Sequence, residues 1–284
     1  MTTEIAPDRV AAEPAARAGL AQRVRWAVLD GFVLIRRNLL RYIRIPTLLV
    51  FSTVQPVMFV LLFRYVFGGA ITGLPFGVNY VNYLMPGIFV QTAIFGSTQT
   101  GIGLAEDLNA GIIDRFRSLP MARSAVLAGR TTADLFRNLF VVLLMTAVGY
   151  LVGFRFQAGP ILAVLVIGLA VLVGFSFSWI SATLGLAIKN LESVQAASFV
   201  WIFPLVFASS AFVPPKTFPS WLQTIAEHNP ITIWANTLRA FTLGGTYVRA
   251  IGETFPNLVF KSGLWIAVIL AVFVPLSIRV YRKA

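Results

Sequence analysis

Six long uncharged segments constrain this chain more than any other feature of its sequence. Each segment is predominantly apolar and contains no Asp, Glu, Lys or Arg; they span residues 45–63, 65–105, 138–154, 156–188, 193–215 and 262–278. A helix needs about 20 mostly apolar residues to cross the hydrocarbon core of a bilayer. Segments this long and this numerous do not suit the core of a soluble domain. The pattern therefore predicts an all-α polytopic membrane protein.

The uncharged segments predict six transmembrane helices, because the longest segments each hold one span and one loop. The predicted spans cover residues 46–67, 84–104, 133–153, 161–188, 194–213 and 258–278. We expect a single transmembrane domain over residues 20–280. Residues 1–19, which are rich in Ala, Pro and charge, are expected to form a disordered cytoplasmic tail, and residues 281–284 a short cytoplasmic tail.

The distribution of positive charge predicts the orientation of the chain. The net charge is +12, and 17 of the 23 Lys and Arg residues fall near the two termini, in the central loop or in the loop after the fourth predicted span. Cytoplasmic loops of membrane proteins carry an excess of Lys and Arg. We therefore expect both termini and the central loop in the cytoplasm and residues 214–257 outside. The basic balance reports topology and contact with anionic lipid headgroups, not nucleic-acid binding.

The central polar stretch, residues 104–130, predicts a docking surface. Apolar residues recur in it at helical spacing, at Ile112, Ile113, Phe116 and Leu119. Charged residues lie among them, at Glu106, Asp107, Asp114, Arg115 and Arg117. This pattern is typical of a short amphipathic helix, which Pro120 would end or kink. A solvated loop is the alternative, but it does not account for the spaced apolar residues.

Residues 20–44 predict an amphipathic helix that lies in the cytoplasmic membrane interface. The apolar face is expected to hold Leu20, Val24, Val28, Ile35, Leu39 and Tyr42. The opposite face is expected to hold Arg23, Asp30, Arg37, Arg41 and Arg44. An ordinary soluble amphipathic helix is the alternative, and the excess of Arg together with the following span favours the interface.

The sequence carries no signature of catalysis. It has no GxxxxGK[ST] motif, and hence no P-loop of its own. It contains no Cys and one His, His228, so thiol chemistry and a His/Cys metal cluster are not expected. The uncharged segments offer no carboxylate for a proton relay. We expect no catalytic residue, no cofactor site and no metal site in this chain, and its energy source must come from another chain.

The external segment, residues 214–257, predicts short helices at the outer surface. Ser220 and Gln223 match a capping box. Asn229-Pro230 is typical of a helix cap followed by Pro at the first helical position, and Gly244-Gly245 would stop that helix. We expect these short helices to re-enter the edge of the bilayer.

Three stretches of the sequence carry a family resemblance. They are EDLNAGIIDRFRSLPMARSAVLAGR at 106–130, KNLESVQAASFVWIFPLVFASSAFVPP at 189–215 and WLQTIAEHNPITIWANTLRAF at 221–241. Together they resemble the membrane-spanning permease subunit of an ABC-2 type transporter, of the daunorubicin/doxorubicin-resistance branch. The resemblance covers residues 20–280. It implies a cytoplasmic ATPase subunit that binds ATP and Mg²⁺, two copies of each subunit, and export across the bacterial cytoplasmic membrane.

The resemblance also implies which segments face the ATPase. Residues 20–44 would be the interface helix, 106–119 the coupling helix and 189–192 a second small contact. The residues expected at the ATPase are Glu106, Asp107, Ile112, Ile113, Asp114, Arg115, Phe116, Arg117, Lys189 and Glu192.

The polar residues of the spans predict a substrate path. We expect two copies of the chain to enclose it between their first, second and fifth spans, with Gln55, Gln91, Phe95, Thr98 and Ser209 in its lining. No fixed charge is expected at mid-membrane, so the substrate should be largely apolar, a drug or a lipid-like molecule. Export of a polysaccharide or lipid-linked glycan is the alternative within the family. An integral membrane enzyme that acts on lipid-linked substrates, or a passive channel, is a more distant one.

Overall fold

The computed structural model describes residues 31–40, 42, 44–71, 74, 77–113 and 123–283, and over these residues every long element is helical. Residues 31–40, 42 and 44 belong to the predicted interface helix. The elements that follow are α1 Pro46–Leu61, a π-helical continuation Leu62–Phe67, α2 Tyr80–Asn109, α3 Arg123–Leu151, α4 Pro160–Ile188, α5 Leu191–Phe207, a short 3₁₀ turn Pro215–Thr217, α6 Ser220–His228, α7 Pro230–Leu243, α8 Gly245–Ala250 and α9 Phe255–Lys283.

Three of these helical stretches are long and apolar enough to cross a membrane by length and composition. They are Val126–Leu151, Pro160–Ile188 and Phe255–Lys283. Two shorter apolar helices, Ser52–Phe67 and Leu191–Phe207, accompany them. At 1.5 Å per residue, the 29 residues of α4 extend about 44 Å, more than the hydrocarbon thickness of about 30 Å. The lengths and composition of these helices are those of an integral membrane protein.

Proline, glycine and asparagine set several helix boundaries. Pro46, Pro160 and Pro230 occupy the first turn of their helices, where the missing N–H would have had no intrahelical partner. The Asn229 side chain accepts a hydrogen bond from the Ile231 backbone N–H at 2.9 Å and caps α7, as the Asn-Pro pattern predicts. Gly244, at φ +81°, ends α7, as the Gly-Gly pair predicts.

The α2 helix lies at the centre of the bundle, although it is not among the three helices that qualify as membrane spans by length and composition. Nearly all of its residues from Tyr80 to Leu104 are buried, and it packs most extensively against α4. Gly101 of α2 and Gly185 of α4 face each other at this contact. A Cβ on Gly185 would overlap the Gly101 carbonyl oxygen, and a Cβ on Gly101 would overlap the Ser181 carbonyl oxygen. The two backbones therefore touch directly, which is the close approach that small residues permit between membrane helices.

The α5 helix is shorter than the predicted fifth span, residues 194–213, because it ends at Phe207. The side-chain amide of Asn229 donates to the carbonyl oxygens of Leu205 at 2.7 Å and Ala208 at 2.8 Å. These bonds satisfy acceptors that the end of a helix leaves free. The backbone after Phe207 is thus held by a side chain from a distant part of the sequence.

The segment predicted to be external, residues 214–257, folds into the bundle more deeply than expected. Most of α7 is buried, and it packs against α2, α9 and α4 rather than lying at the outer surface. Trp234 of α7 is fully buried, and its indole N–H donates to the Ser262 carbonyl oxygen at 3.2 Å. The capping-box prediction for Ser220 was wrong, since α6 starts at Ser220 after Pro219 and no side-chain bond caps it.

A fully buried arginine, Arg239, connects α7 to the rest of the bundle. Its Nε donates to the Tyr83 carbonyl oxygen at 2.8 Å, and its two terminal nitrogens donate to Ser210, Ala211 and Asn236. The guanidinium carbon also lies 3.5 Å from the centroid of the Tyr83 ring. These hydrogen bonds and the aromatic face compensate the loss of water around this charge.

We predict that Gly185→Ala destabilises the protein by about 1–3 kcal/mol, because the added methyl group would overlap the α2 backbone. Gly168 is the matched control, since it lies in the same helix and a methyl group added there would meet no heavy atom within 4 Å. Gly168→Ala should be neutral or slightly stabilising. Thermal unfolding of both variants in the same detergent measures the difference, and equal midpoints would contradict the direct α2–α4 contact.

Candidate transport site

A polar cavity of about 200 Å³ lies inside the helix bundle, between α1, α2, α3 and α5. Four of the five residues predicted for the substrate path line it together: Gln55, Gln91, Phe95 and Thr98. The remaining lining residues are Ser52, Pro56, Thr92, Gly96, Gln99, Ile102, Arg137, Gln195 and Phe199. The structure thus brings polar residues from the first, second and fifth predicted spans to one place.

Ser209, the fifth predicted path residue, does not line this cavity. It is buried just beyond the end of α5, where its hydroxyl donates to the Val206 carbonyl oxygen and accepts from the Ala211 N–H. Such local bonds to the backbone are typical of Ser near helix ends. The position of Ser209 in the structure indicates a role in shaping the turn after α5.

Arg137, which was not among the residues predicted for the substrate path, places a positive charge in the wall of the cavity. The side chain is 3% exposed and belongs to α3. One terminal nitrogen donates to the Gly96 carbonyl oxygen at 2.5 Å and to Asn138 Oδ1 at 3.1 Å. Gly96 leaves the space that the guanidinium occupies, since a Cβ there would lie 3.1 Å from Arg137 Nη2.

The carboxylate of Asp134 joins Arg137 to the interface helix and to Arg130. Asp134 is fully buried on α3, where its two oxygens lie 3.5 Å from Arg130 Nε and 3.8 Å from Arg137 Nε. The hydroxyls of Tyr42 and Thr100 donate to the same carboxylate. Partners from the interface helix, α2 and α3 therefore share one buried negative charge, which is the kind of satisfied network that a buried carboxylate requires.

The buried face of the interface helix matches the predicted one only in part. Leu34, Asn38 and Tyr42 are buried, at spacings of four residues, whereas Phe32 and Val33 are 66% and 63% exposed. Of the predicted apolar face, Tyr42 is buried and donates to Asp134, whereas Ile35 and Leu39 are half-buried. The predicted positions 20–30 and 41 lie outside the described residues.

The predicted coupling helix is not one continuous helix over 106–119. The α2 helix runs through Glu106 and Asp107 to Asn109, and a turn at Ala110 and Gly111, with Gly111 at φ +67°, separates it from helical residues 112–113. Asp107 forms an ion pair with Arg37 of the interface helix at 2.9 Å.

Ile113 is 1% exposed and packs in a hydrophobic cluster of this chain with Leu34, Leu104 and Leu127. It is therefore buried already within this chain, whereas Ile112 is half-buried. The predicted contact residues Asp114, Arg115, Phe116 and Arg117 lie outside the described residues.

The loop between α4 and α5 lies beside the end of α2. The Asn109 side-chain amide donates to the Lys189 carbonyl oxygen at 3.0 Å. Lys189 and Glu192 are exposed, and Asn190 caps α5 by accepting from the Ser193 N–H. The two segments predicted to contact the ATPase are therefore neighbours in space.

A larger cavity, of about 570 Å³, lies among the elements predicted to be external. Its walls include Tyr83, Asn236, Tyr247 and Glu253. Burial would raise the pKa of the Glu253 carboxyl, but hydrogen bonds from Lys261 and Asn257, with the charge of Lys261, outweigh it and lower that pKa. No lining side chain in the described protein has a buried polar atom without a partner, so this cavity shows less evidence of a specific site than the smaller one.

A family profile described as ABC-2 type transporter matches residues 31–243, three quarters of the chain and all of the cavity and Asp134 network. The chain belongs to the ABC-2 type transporter family. One similar protein is the daunorubicin resistance ABC transporter permease protein DrrB1 of Streptomyces coeruleorubidus, 35% identical over 249 residues, which cover 87% of this chain and 84% of that protein. Another is the probable doxorubicin resistance ABC transporter permease protein DrrC of Mycobacterium tuberculosis, 29% identical over 290 residues, which cover 99% of this chain and 96% of that protein. A third is the putative transport permease ycf38 of Cyanophora paradoxa, 28% identical over 218 residues, which cover 75% of this chain and 73% of that protein.

The chain is an ABC-2 permease subunit, the membrane-embedded and non-catalytic part of an ABC transporter. Its family implies association with a separate ABC ATPase and with a second permease. The resemblance drawn from three stretches of sequence is confirmed by the family match and by the relatives. Asp134 and Arg137 are spaced i,i+3 on α3, a spacing at which two side chains can pair on a helix, so the sequence contained a signal for this ion pair. Arg130, four residues before Asp134, lies on the same face of α3. Its spacing could have revealed it as the third charged residue of the Asp134 network.

We predict that Asp134→Asn destabilises the permease by about 3–5 kcal/mol, because the change leaves two buried guanidinium groups without their carboxylate. Tyr42→Phe removes a single hydrogen bond to the same network and should cost about 1 kcal/mol. Glu192→Gln, on an exposed residue of α5, serves as the control and should be neutral. Thermal unfolding of the three purified variants gives the ranking, and a neutral Asp134→Asn would contradict it.

Proposed function

We propose that this permease forms the membrane path of an ATP-driven exporter that moves largely apolar, drug-like or lipid-like molecules across the bacterial cytoplasmic membrane. The observation that carries the proposal is a continuous row of aromatic rings that starts at the polar cavity. The names of two similar permeases, which refer to daunorubicin and doxorubicin resistance, support a drug-like substrate.

The aromatic row consists of six phenylalanines from α1 with its π-helical end, α2, α5 and the segment after it. Successive ring centroids are 5.3, 5.5, 5.2, 4.5 and 5.4 Å apart; the rings belong, in order, to Phe95, Phe203, Phe207, Phe212, Phe63 and Phe67. Rings at these separations attract one another and offer a large apolar surface.

The row joins the polar cavity to a more open surface. Phe95 lines the cavity, while Phe203, Phe207 and Phe67 are 39%, 41% and 43% exposed. A molecule with an apolar body could therefore contact the row from outside this chain. An exposed aromatic surface favours an apolar or amphiphilic substrate over a polysaccharide.

The proposed topology has six spans with both termini in the cytoplasm. The three predicted spans beyond the long apolar helices coincide with α1 and its continuation, α2 and α5. The excess of Lys and Arg near the termini and in the central loop supports the orientation. In this orientation the Asp134 network lies towards the cytoplasm, and the cavity lies between it and the aromatic row.

The proposed assembly contains two permeases and two ATPase subunits, which bind ATP and Mg²⁺. Coupling would pass through the end of α2, the following segment to Arg117, and the Lys189–Glu192 loop. The Arg37–Asp107 ion pair and the Tyr42–Asp134 hydrogen bond link this region to the interface helix, so that a shift of one element acts on the others.

Removing two rings of the aromatic row should slow export. We expect Phe203→Ala with Phe207→Ala to lower the initial rate of ATP-dependent daunorubicin uptake into inverted membrane vesicles by about two- to tenfold, since each aromatic pair contributes about 0.5–1.5 kcal/mol. Phe260→Ala, on α9 and 67% exposed, is the control and should export normally. An unchanged rate in the double variant, with the ATPase still bound, would exclude the row from the path.

The coupling segment can be tested at Phe116. We predict that Phe116→Ala abolishes export and weakens association with the ATPase, because apolar anchors usually dominate a docking interface. Arg117→Glu should have a milder, salt-dependent effect. Expression, ATPase co-purification and export are measured in one membrane preparation, with Ser118→Ala as control. Normal export by Phe116→Ala with the ATPase bound would indicate a solvated loop.

A further inference from the structure

The polar cavity contains buried polar atoms that lack partners. Gln91 is 1% exposed and Thr92 is 4% exposed, and neither Gln91 Oε1 nor Thr92 Oγ1 has a hydrogen-bond partner among the residues that the structure describes. The Nε of Arg137 is likewise buried without a hydrogen bond there, since Asp134 lies 3.8 Å away. Buried polar groups are nearly always paired, and exceptions call for an explanation. Here the atoms are two oxygens and one N–H donor, and all three belong to residues that line one cavity.

The charge of the cavity wall is positive. Arg137 is the one formally charged residue among the described side chains that line the cavity. Its nearest carboxylate, Asp134, does not line the cavity and is shared with Arg130. The remaining polar lining consists of neutral amides and hydroxyls, mainly Gln55, Gln91, Thr98 and Gln195. A bound ammonium group would face Arg137 without a carboxylate of its own.

We propose that this cavity binds the neutral oxygen-bearing end of the transported molecule, where a carbonyl oxygen and a hydroxyl or amide N–H occur together, and that it rejects an ammonium group. The carbonyl oxygen accepts from Arg137, and the hydroxyl or amide donates to Gln91 Oε1 or Thr92 Oγ1. This specificity rests on the proposed transport path and adds to it the chemical class that the path selects.

The aromatic row beside the cavity can bind the apolar body of the transported molecule. Phe95, the first ring of the row, and Phe199, which lies beside it, both line the cavity, with ring centroids 5.8 Å apart. An apolar body continues from the polar end onto these rings. A molecule that also carries an ammonium group binds with that group away from Arg137, where the faces of the aromatic rings can attract it.

Two probes with the same apolar body test the selection. They are naphthalene-2-carboxamide, which carries the carbonyl and N–H together, and 2-naphthylmethylammonium. Saturable binding to the full-length permease in phosphatidylcholine nanodiscs is followed by naphthalene fluorescence. We expect the carboxamide to bind the wild-type protein at least about tenfold more tightly than the ammonium, which corresponds to about 1.4 kcal/mol.

Substitutions at Gln91 separate charge from shape. Gln91→Glu keeps the size of the side chain and places a negative charge near Arg137. The ammonium probe should therefore bind more tightly, and the tenfold preference for the carboxamide should disappear or reverse. Gln91→Leu removes the hydrogen-bond acceptor and should weaken binding of the carboxamide several-fold. Gln157→Glu, in the exposed turn between α3 and α4, is the control and should keep the wild-type preference.

Equal affinities in the wild type, no saturable binding of the carboxamide, or an unchanged preference in Gln91→Glu would each overturn the proposal. Because binding is measured without the ATPase, these outcomes leave the exporter assignment standing. Failure of ATP-dependent export with the expected binding preference intact would count against the exporter assignment alone.

Discussion

Buried guanidinium groups that donate to the backbone of α2 determine much of this structure. Arg239 donates to the carbonyl oxygen of Tyr83, Arg137 to that of Gly96 and Arg130 to that of Gln99. A buried charge without such partners would cost several kcal/mol, so each arginine fixes the distance between its own helix and α2. These three contacts, at Tyr83, Gly96 and Gln99, help to explain why α2 occupies the centre of the bundle.

Hydrophobic and charge periodicity predicted the helices because burial in a bilayer dominates their energy. The uncharged segments correspond to α1, α2, α3, α4, α5 and α9, and the Asn-Pro and Gly-Gly pairs marked the ends of α7 correctly. The failures lie where a distant side chain controls the backbone. Asn229 bonds the carbonyl oxygens at the end of α5. Asn38, which was not on the predicted apolar face of the interface helix, is buried beside Tyr42, which bonds Asp134. Single-sequence periodicity contains no information about such long-range pairs.

The sequence predicted part of the candidate site, because a polar residue within an apolar segment can be recognised without knowledge of long-range contacts. Polar side chains inside apolar segments are conspicuous, which pointed to Gln55, Gln91 and Thr98. Arg137 was counted with the cytoplasmic charges because it lies at the edge of an uncharged segment, yet its long side chain reaches the cavity. Ser209 followed the same logic as the glutamines, but its hydroxyl bonds the local backbone. The reach and direction of a side chain, rather than its polarity, separated these cases.

The hydrogen bond from Asn109 to the Lys189 carbonyl oxygen has a consequence for how such transporters diverge. It ties the end of α2 to the turn between α4 and α5, so the two segments present one combined surface. If both segments contact the ATPase as proposed, a permease that changes its ATPase during evolution must alter both in concert, because replacing one alone would leave half of the contact surface unmatched. Hybrid transporters assembled from two related systems would therefore need both segments from the same parent.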